Sequence, residues 1–371
     1  MKPIILDDEA GRRRLDALEK ALADRGGDLA VFLVFDRPSI VAERPSLART
    51  FFAERCETET QLDQMMEAFR SIKAYVELFE NEAPFIKALA EGRLQSLGRK
   101  LQVAYNGMGW GVGGGFRPGR KALIPLVADS YGLLCANSDG YACALGMHKF
   151  HCFRLLPAIG IDVPPVWHYR LEGGWVDGQP PEGTKVIVKS TYEAWSVGVT
   201  EESVFIVDDS CEERASQIAA GIGQPVTVQE FVTGPEICVT VLSCPELVVP
   251  PPMETVLAKA PENPAAIMTI DDNLADGGVS YRPFDGERSE IDQLRGTAAR
   301  IFELLQFEGL ARMDFRVDAS GRPWLTDVSI SPGLESYGSA AGALAEYGFD
   351  HSRFIRGVLA TTLGARGLLP T

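Results

Sequence analysis

Hydrophobic and polar positions in the first third of the chain follow helical and strand-like periods in turn. Three leucines share one face of a predicted helix within the first thirty residues, and a Gly-Gly pair ends it. An unbroken apolar run over 29–35 predicts a buried strand. The pattern then predicts a long amphipathic helix over 58–79, a second helix over 83–90 and a short strand over 101–105. This alternation favours a mostly parallel sheet.

After residue 137 the pattern changes to shorter elements, beginning with a helix that starts near Asp139. Several short apolar stretches predict strands: VWHYRL, KVIVKS, VGVTEESVFIV, PVTVQEFV, ICVTVLS and ELVVPPPMETV. The remaining predicted elements are a loop over 273–286, a helix over 289–305, a hairpin over 310–332 and a closing helix over 350–363. We therefore predict three domains: an N-terminal α/β domain over 1–145, a small sheet-rich unit over 146–235 and a third domain over 236–371.

Composition narrows the class of protein. The chain has 371 residues, of which 46% are hydrophobic, enough for several packed cores. The formal net charge of −15 argues against a nucleic-acid partner. The sequence has no apolar run of the ~20 residues that a membrane span needs, and its start does not resemble a signal peptide. Seven scattered cysteines without CxxC spacing predict reduced thiols. We expect a cytoplasmic protein with small-molecule partners, and a homodimer is compatible with the sequence.

The predicted hairpin carries the most informative polar residues. Arg312 and Asp314 lie two positions apart, so they project from the same face of one strand. Asp327 and Ser329 follow the same rule on the partner strand. If the two faces coincide, one cation and three oxygen-bearing groups meet on the sheet, and such oxygen ligands suit Mg²⁺. Taken alone, the pattern favours an exposed sheet face with mixed charges.

Two lysines and a carboxylate extend this chemistry. Lys189 lies at the end of an apolar strand, before a turn of small and polar residues that includes Ser196. A lysine facing backbone N–H groups in this way suits phosphate oxygens. Lys149 begins the sheet-rich unit, and Glu236 follows a Gly-Pro turn, where its carboxylate can accept hydrogen bonds from ribose hydroxyls. Each of these residues has a structural alternative, because surface lysines and hinge glutamates are commonly only solvated.

The order of these motifs is more specific than any one of them. VKS…SVGV, QEFVTGPE, ARMDFRVD and DVSISPG together resemble the ATP-grasp ligases, especially the D-alanine–D-alanine ligase branch, from about Tyr105 to the C-terminus. The resemblance implies an α/β fold of the ATP-grasp type with three subdomains. These are an N-terminal α/β domain, a small central lid and a C-terminal α/β domain, with ATP bound between the last two.

The resemblance also implies roles for individual residues. The residues implied for the ATP phosphates are Lys149, Lys189, Ser196 and, by a looser match, Lys259. Those implied for adenine and ribose are Gln229, Glu230, Phe231, Val232 and Glu236. The catalytic group would comprise Lys189, Arg312 for the acyl phosphate and the tetrahedral intermediate, and the Gly333 N–H for the oxyanion. The metal ligands would be Asp314, Asp327 and Ser329, holding one or two Mg²⁺ ions, with Mn²⁺ as an alternative.

Several positions depart from the family pattern. The family's E-x-N motif is here Asp327 and Ser329, which predicts a looser metal site. Trp195 replaces a small hydroxyl residue of the D-alanine ligases. The family's glycine-rich N-terminal loop, with a downstream glutamate that holds the first D-alanine, has no evident counterpart. The segment 335–337, Glu-Ser-Tyr, lies where the family binds its second substrate. The D-alanine pocket is therefore not carried over by the resemblance.

The predicted function is ATP-dependent formation of an amide or peptide bond between amino-acid-like carboxylate and amine substrates, through an acyl phosphate, with release of ADP and phosphate. The departures favour a specialised ligase of secondary metabolism over a cell-wall enzyme. The alternatives are ring closure by an intramolecular nucleophile, phosphotransfer, and nucleotide binding without turnover. Two further patterns carry less weight: the glycine run 109–115 lacks the helix that a dinucleotide site needs, and His148 and His151 lack a third metal ligand.

Overall fold

The computed structural model describes residues 3–43, 45–107, 117–136 and 138–370. Its α-helices are α1 (Asp8–Asp24), α2 (Ile40–Glu43), α3 (Phe52–Arg55), α4 (Glu59–Arg70), α5 (Glu82–Ala90), α6 (Leu123–Ser130), α7 (Gly140–Met147), α8 (Lys149–Leu155), α9 (Cys211–Ile222), α10 (Ile270–Leu274), α11 (Arg288–Leu304), α12 (Ser339–Ala345) and α13 (His351–Ala365). Its strands are β1 (Leu29–Val34), β2 (Tyr75–Phe79), β3 (Leu101–Asn106), β4 (Leu134–Cys135), β5 (Val166–Arg170), β6 (Gly174–Trp175), β7 (Lys185–Ser190), β8 (Val204–Ile206), β9 (Val226–Glu230), β10 (Glu236–Ser243), β11 (Leu247–Val248), β12 (Met253–Leu257), β13 (Val279–Pro283), β14 (Leu310–Val317) and β15 (Pro323–Ser329).

The N-terminal sheet is parallel, as the sequence predicts, with strand order β2-β1-β3-β4. Every residue of β1 is buried, because helices cover both faces of the sheet. The prediction of one long helix over 58–79 is wrong. Helix α4 ends at Arg70, Lys73 adopts a left-handed φ of 67°, and the chain returns as β2. The segment YVELF pairs with β1, and this tertiary pairing outweighs the helical period of its apolar residues.

The other two sheets are antiparallel. The lid sheet has the order β6-β5-β9-β7-β8, and the third sheet has the order β13-β12-β10-β14-β15, with β11 paired to β10. The prediction of a loop over 273–286 is wrong in part, because β13 lies within this segment and pairs with β12. Strand β13 lies at the edge of its sheet and its residues are exposed or half-buried, so its sequence lacks an apolar pattern.

The first helix packs against the last one rather than only against its own sheet. A β-bridge joins Ile5 to Leu247, and the side chain of Tyr347 donates a hydrogen bond of 2.7 Å to Asp8. Leu15, Leu18 and residues of α13 share one buried core with the face of the parallel sheet. The predicted domain boundary at residue 145 therefore assigns α1 and α13, which pack against each other, to different domains.

Among the residues described above, no helix combines the length and the apolar character that crossing a bilayer requires. The glycine run 109–115 lies outside the described residues. The predicted helices α5, α11 and α13 and the 310–332 hairpin are confirmed to within a few residues at their ends.

Candidate functional site

A central cavity of about 570 Å³ lies where residues of the three sheets meet. The predicted site residues that line it are Lys149, Lys189, Ser196, Gln229, Glu230, Phe231, Val232, Glu236, Arg312, Asp314, Asp327, Ser329 and Gly333. They come from the lid, from the third sheet and from the segment after β15. The fold therefore brings together residues that are up to 184 positions apart, from Lys149 to Gly333.

The hairpin β14–β15 places its polar residues on one face. In the observed register, Arg312 pairs with Ser329 and Asp314 pairs with Asp327, so the expectation that the two faces coincide is confirmed. The Arg312 guanidinium donates to both oxygens of Asp314, each at 2.7 Å. Burial opposes the charge of Arg312, but Asp314 outweighs it and raises the pKa of Arg312. Arg312 therefore stays fully cationic at the cavity wall.

The two lysines converge on the end of β15. Lys149 Nζ donates to both oxygens of Asp327, at 2.7 and 2.9 Å. Lys189 Nζ donates to Gln229 Oε1 at 2.9 Å and to the Thr326 carbonyl oxygen at 3.0 Å. Burial lowers the pKa of Lys189 to about 8, although Asp327 partly restores it. Both ammonium groups thus face one carboxylate, where phosphate oxygens could replace or join it.

Asp314 and Asp327 form the charged part of a candidate metal site. They face each other across paired strands, and Ser329 adds a hydroxyl on the same face. Burial raises the pKa of Asp327, but Lys149 and Lys189 outweigh it and keep the carboxylate ionised. The described part of the chain contains no cluster of three or more His, Cys, Asp or Glu that could hold a metal alone. This donor set fits Mg²⁺, which proteins usually hold by one or two carboxylates while phosphate oxygens and water complete the shell.

Lys259 is the predicted phosphate ligand that the structure does not bring into the cavity. Its ammonium forms ion pairs of 2.6 Å with Glu201 and with Asp272. Asp272 itself lines the cavity and caps α10 through the Thr269 N–H and hydroxyl. Lys259 therefore ties the loop before α10 to Glu201, and its assignment to the ATP phosphates stays a prediction.

Phe231 is the centre of the part of the cavity wall where the resemblance predicts the nucleotide base. The Lys185 ammonium and the Arg316 guanidinium lie over its ring, 4.5 and 5.0 Å from the centroid. Arg316 also lies 3.5 Å from a carboxylate oxygen of Glu236. The carboxylate of Glu236 is thus oriented at the rim of the cavity, beside backbone groups of 230–232.

The loop after Lys189 has an unusual backbone. Trp195 and Ser196 adopt left-handed φ angles of 66° and 56°, which bulky residues rarely occupy. The Asn273 side chain donates to the Trp195 carbonyl oxygen at 3.3 Å. Such strain persists only where surrounding contacts hold it, and it is common at ligand-binding loops. Both residues line the cavity.

A buried ionic network ties this loop to the N-terminal domain. Glu193 accepts hydrogen bonds from Arg55 at 3.1 Å, from Arg120 at 2.9 Å and from Gln224 at 3.1 Å. Arg120 also donates to the Tyr192 carbonyl oxygen at 2.8 Å. The sequence analysis missed the two arginines because they lie far from Glu193 along the chain. The network fixes the lid loop relative to the first domain.

Glu57, an acidic residue that the sequence analysis missed, also faces the cavity. Glu57 precedes α4, where Thr58 and Gln61 form a capping box that marks the helix start. A glutamate downstream of β1 therefore does reach the site, contrary to the sequence expectation. Burial and the neighbouring Glu335 raise the pKa of Glu57 to about 8, and burial also raises the pKa of Glu335. Tyr105 and Lys121 complete this side of the cavity.

Three histidines cluster beside Lys149. The rings of His148 and His151 stack with centroids 3.6 Å apart, and His168 lies 5.7 Å from His148. Burial, with the neighbouring histidines, lowers the pKa of His148 to about 4. Burial also lowers the pKa of His168 to about 4, and its Nδ1 lies 3.1 Å from the Val226 carbonyl oxygen. The cluster is packed as neutral rings and does not have the arrangement of a metal site.

We expect this cluster to destabilise the protein in acid. The folded pKa of His148 is near 4, below its ordinary value of 6.5, so the unfolded chain binds the proton more readily. The stabilisation is present above pH 6.5 and is lost as the pH falls toward 4. His148→Asn keeps a capping side chain at the start of α8 and removes this titration. Urea unfolding should show a drop in stability from pH 7 to pH 5 that is about 1 kcal/mol smaller in the variant than in the wild type. An equal drop in both proteins would contradict this assignment.

Comparisons with known proteins agree with this architecture. The family model described as D-ala D-ala ligase C-terminus matches residues 181–360. The chain is 23% identical over 248 residues to a D-alanine–D-alanine ligase of Synechococcus sp., covering 66% of this chain and 73% of that protein. It is 25% identical over 254 residues to a D-alanine–D-alanine ligase of Pseudomonas putida, covering 68% of this chain and 75% of that protein.

Solved structures of ligases share the whole fold. The D-alanine–D-alanine ligase from Bacillus anthracis complexed with ATP superposes with a TM-score of 0.64 at 14% identity, covering 91% of this chain and 99% of that one. The VanG D-Ala:D-Ser ligase from Enterococcus faecalis superposes with a TM-score of 0.57 at 15% identity, covering 90% and 99%. At such identities the likeness concerns the fold alone, and it agrees with the ATP-grasp fold that the sequence analysis predicts.

Proposed function

We propose that the chain is an ATP-dependent ligase of the D-alanine–D-alanine ligase type, which joins one amino-acid-like carboxylate to an amine and releases ADP and phosphate. The observation that carries the proposal is the convergence of two lysines, one arginine and two aspartates on a single cavity wall. These are Lys149, Lys189, Arg312, Asp314 and Asp327. The consumption of ATP fits a cytoplasmic location.

The chemistry requires two anions to meet. A substrate carboxylate oxygen attacks the γ-phosphorus of ATP, a P–O bond forms, and the bond to the ADP oxygen breaks. At an effective dielectric constant of about 20, unit charges 4 Å apart repel each other by about 4 kcal/mol. Lys149, Lys189 and Arg312 offset this repulsion. A Mg²⁺ ion held by Asp314, Asp327 and Ser329 would neutralise further phosphate charge.

The second step joins the amine to the acyl phosphate. The amine nitrogen attacks the carbonyl carbon, and the oxyanion that develops accepts hydrogen bonds from Arg312 and the Gly333 N–H. Collapse of this intermediate breaks the C–O bond to phosphate. Water would hydrolyse the acyl phosphate, so the lid loop with Trp195, held by the network around Glu193, has a protective role.

We propose substrates other than two D-alanines. Trp195 occupies space where the D-alanine ligases have a small hydroxyl residue, and Glu335 adds a carboxylate to the part of the cavity where the second substrate would lie. Both changes favour a specialised amino-acid ligase. D-alanine dimer formation is the second candidate, because the relatives and the structural neighbour from Bacillus anthracis carry that name.

A phosphate-release screen tests the proposal. The purified protein is incubated with ATP, Mg²⁺ and pairs of L- and D-amino acids, including D-alanine alone, and the products are analysed by mass spectrometry. We expect phosphate release that depends on both substrates, with a product whose mass equals the sum of the two less one water. A phosphorylated product without an amide bond would instead indicate a phosphotransferase. A product that forms from one substrate by loss of water would indicate ring closure.

Glu236 should govern recognition of the ribose. Its carboxylate can accept hydrogen bonds from ribose hydroxyls in both the ground state and the transition state, so Glu236→Ala should raise the KM for ATP about tenfold and change kcat less. The wild type should also use 2′-deoxy-ATP less well than ATP, and the variant should lose that preference. Glu303→Ala, at an exposed position of α11, is the control. Unchanged discrimination against 2′-deoxy-ATP in Glu236→Ala would remove Glu236 from the ribose site.

A further inference from the structure

The carboxylate of Glu335 lies directly against the backbone of Gly333. A Cβ atom at Gly333 would lie 2.0 Å from Oε2 of Glu335 and 2.3 Å from Oε1, so only glycine permits this approach. A Cβ atom at Gly338 would lie 3.4 Å from the same Oε2. The carboxylate therefore rests between two glycines, beside the N–H that is assigned to the oxyanion. An amine that attacks the carbonyl carbon at this oxyanion must come within about 3–3.5 Å of that carbon. Glu335 is thus close to the path of the attacking nitrogen.

Glu335 does not act in isolation, since Glu57 reaches it from the N-terminal domain. The negative charge of Glu335 contributes to the raised pKa of Glu57, which places the two carboxyl groups near each other. Burial adds to this effect on Glu57, whereas at Glu335 burial raises the pKa and the charges of Arg312 and His351 oppose that rise. The titratable and charged groups that face the pair are Cys56, Tyr105, Lys121, Arg312, Tyr337 and His351.

Lys121 supplies a second, independent observation. It is 8% exposed, it lines the central cavity, and it forms no hydrogen bond or ion pair with any of the residues that the structure describes. Burial lowers the pKa of Lys121 to about 8. A buried lysine without such a partner is costly, unless an anion binds beside it. Its charge lowers the pKa of Glu57, so it belongs to the same part of the cavity.

We propose that Glu335 accepts the proton of the attacking ammonium group and that Lys121 binds the carboxylate of the same substrate, so that the amine substrate is an amino acid. Glu57 holds the ammonium together with Glu335. The inference rests on the proposed ligase activity and adds to it a catalytic residue and the side chains that bind the amine substrate. Glu57, Lys121 and Glu335 would together recognise the ammonium and the carboxylate of one zwitterionic amino acid.

The proton balance is complete. The ammonium gives one proton to the Glu335 carboxylate and becomes a neutral amine, whose electron pair forms the C–N bond. The C–O bond to phosphate breaks, and the phosphate leaves with the electron pair of that bond. The nitrogen loses its second proton to the departing phosphate. Glu335 then returns its proton to solvent when the products leave.

Hydroxylamine separates this proton transfer from the rest of the reaction. It is largely unprotonated at neutral pH and has no carboxylate, so it needs neither Glu335 nor Lys121 to attack an acyl phosphate. The acid substrate is the member of the twenty amino acids and their D-enantiomers that yields most hydroxamate with the wild type. Rates are then measured with hydroxylamine and with the amino acid nucleophile that gives the most amide product.

We expect Glu335→Gln to lower kcat with the amino acid nucleophile by about 10²-fold and to leave the hydroxylamine rate nearly unchanged. Glu335→Asp should recover part of the lost rate. Lys121→Met should raise the KM for the amino acid nucleophile about tenfold, without affecting hydroxylamine. The acid limb of the pH profile with the amino acid should disappear in Glu335→Gln. Glu346→Gln, at the exposed end of α12, is the control.

Equal losses with both nucleophiles in Glu335→Gln would overturn the inference, because they would show a structural role for this residue. Unchanged rates with both would overturn it as well. If the wild type forms no hydroxamate from any of these amino acids, the proposed ligase function itself fails. The two failures are therefore distinguishable.

Discussion

Lys189→Ala should lower kcat for ADP formation by at least ~10²-fold while the protein remains folded. The Lys189 ammonium is buried at the end of β7 and hydrogen-bonds Gln229 and the Thr326 carbonyl oxygen, which fixes its direction toward the cavity. A cation held in this way stabilises phosphoryl charge more strongly in the transition state than in the ground state. Asp327 keeps its two hydrogen bonds from Lys149 in the variant, so no buried carboxylate is left without a partner.

The measurement is steady-state ADP formation, with thermal unfolding as the check on folding. Lys87→Ala, on the exposed face of α5, is the matched control and should behave as the wild type. The wild type has a further property: burial lowers the pKa of Lys189 to about 8, so the KM for ATP should rise as the pH increases above 8. Near-normal turnover in Lys189→Ala would exclude Lys189 from the reaction.

Asp327→Asn should have the largest effect of any conservative change at the site, a loss of about 10³-fold in turnover. Asp327 is held ionised by Lys149 and Lys189, and it faces Asp314 across the β14–β15 pair. Removing one of the two carboxylates would leave a bound Mg²⁺ with one charged side chain from the proposed site, and both lysines would face a neutral amide. The side chain of asparagine can still accept from Lys149 and the Val328 N–H, so the fold should persist.

Changes at Ser329 separate metal binding from catalysis. Ser329→Ala should mainly raise the Mg²⁺ concentration needed for half-maximal ADP formation, because a neutral hydroxyl contributes less than a carboxylate. Ser329→Asn introduces the amide of the family pattern and should be tolerated or tighten Mg²⁺ binding. The measurement is a Mg²⁺ titration at saturating ATP, with exposed Asp285→Asn as the control. If Ser329→Ala loses as much activity as Asp327→Asn, the hydroxyl is a direct ligand or a substrate contact. An active Asp327→Asn would place the metal elsewhere.

Family resemblance alone is a weak guide to whether this protein prefers D-alanine. Lys149, Lys189, Arg312 and the two aspartates line one cavity, and in the proposed reaction they would act on groups that every substrate of such a ligase shares. Trp195, Glu335 and Lys121 line the same cavity at places where substrates differ. Substrate choice therefore depends on the residues that resemblance transfers least well.

Local patterns in the sequence were sufficient to predict which polar residues share a strand face in the candidate site. The two-residue spacing of Arg312 and Asp314, and of Asp327 and Ser329, determines which strand face they share, because side chains alternate along any strand. The apolar run before Lys189 determines that the lysine lies at a strand end. The parallel first sheet follows from the buried apolar strand and the alternation of elements. These features depend on neighbouring residues in the chain, and the motif order was enough to indicate the family.

The tertiary structure decided what depends on distant parts of the chain. Strand β13, a polar stretch, forms because it pairs with β12, and strand β2, whose apolar residues have a helical period, forms because it pairs with β1. The residues of β13 and β2 do not by themselves specify these partners. Lys259 forms ion pairs with Glu201 and Asp272 and does not line the cavity. The meeting of Glu57, Lys121 and Glu335 requires segments more than two hundred residues apart, and no periodicity records such a contact. Only packing brings these charges into one low-dielectric cavity, and that burial is what shifts their pKa values.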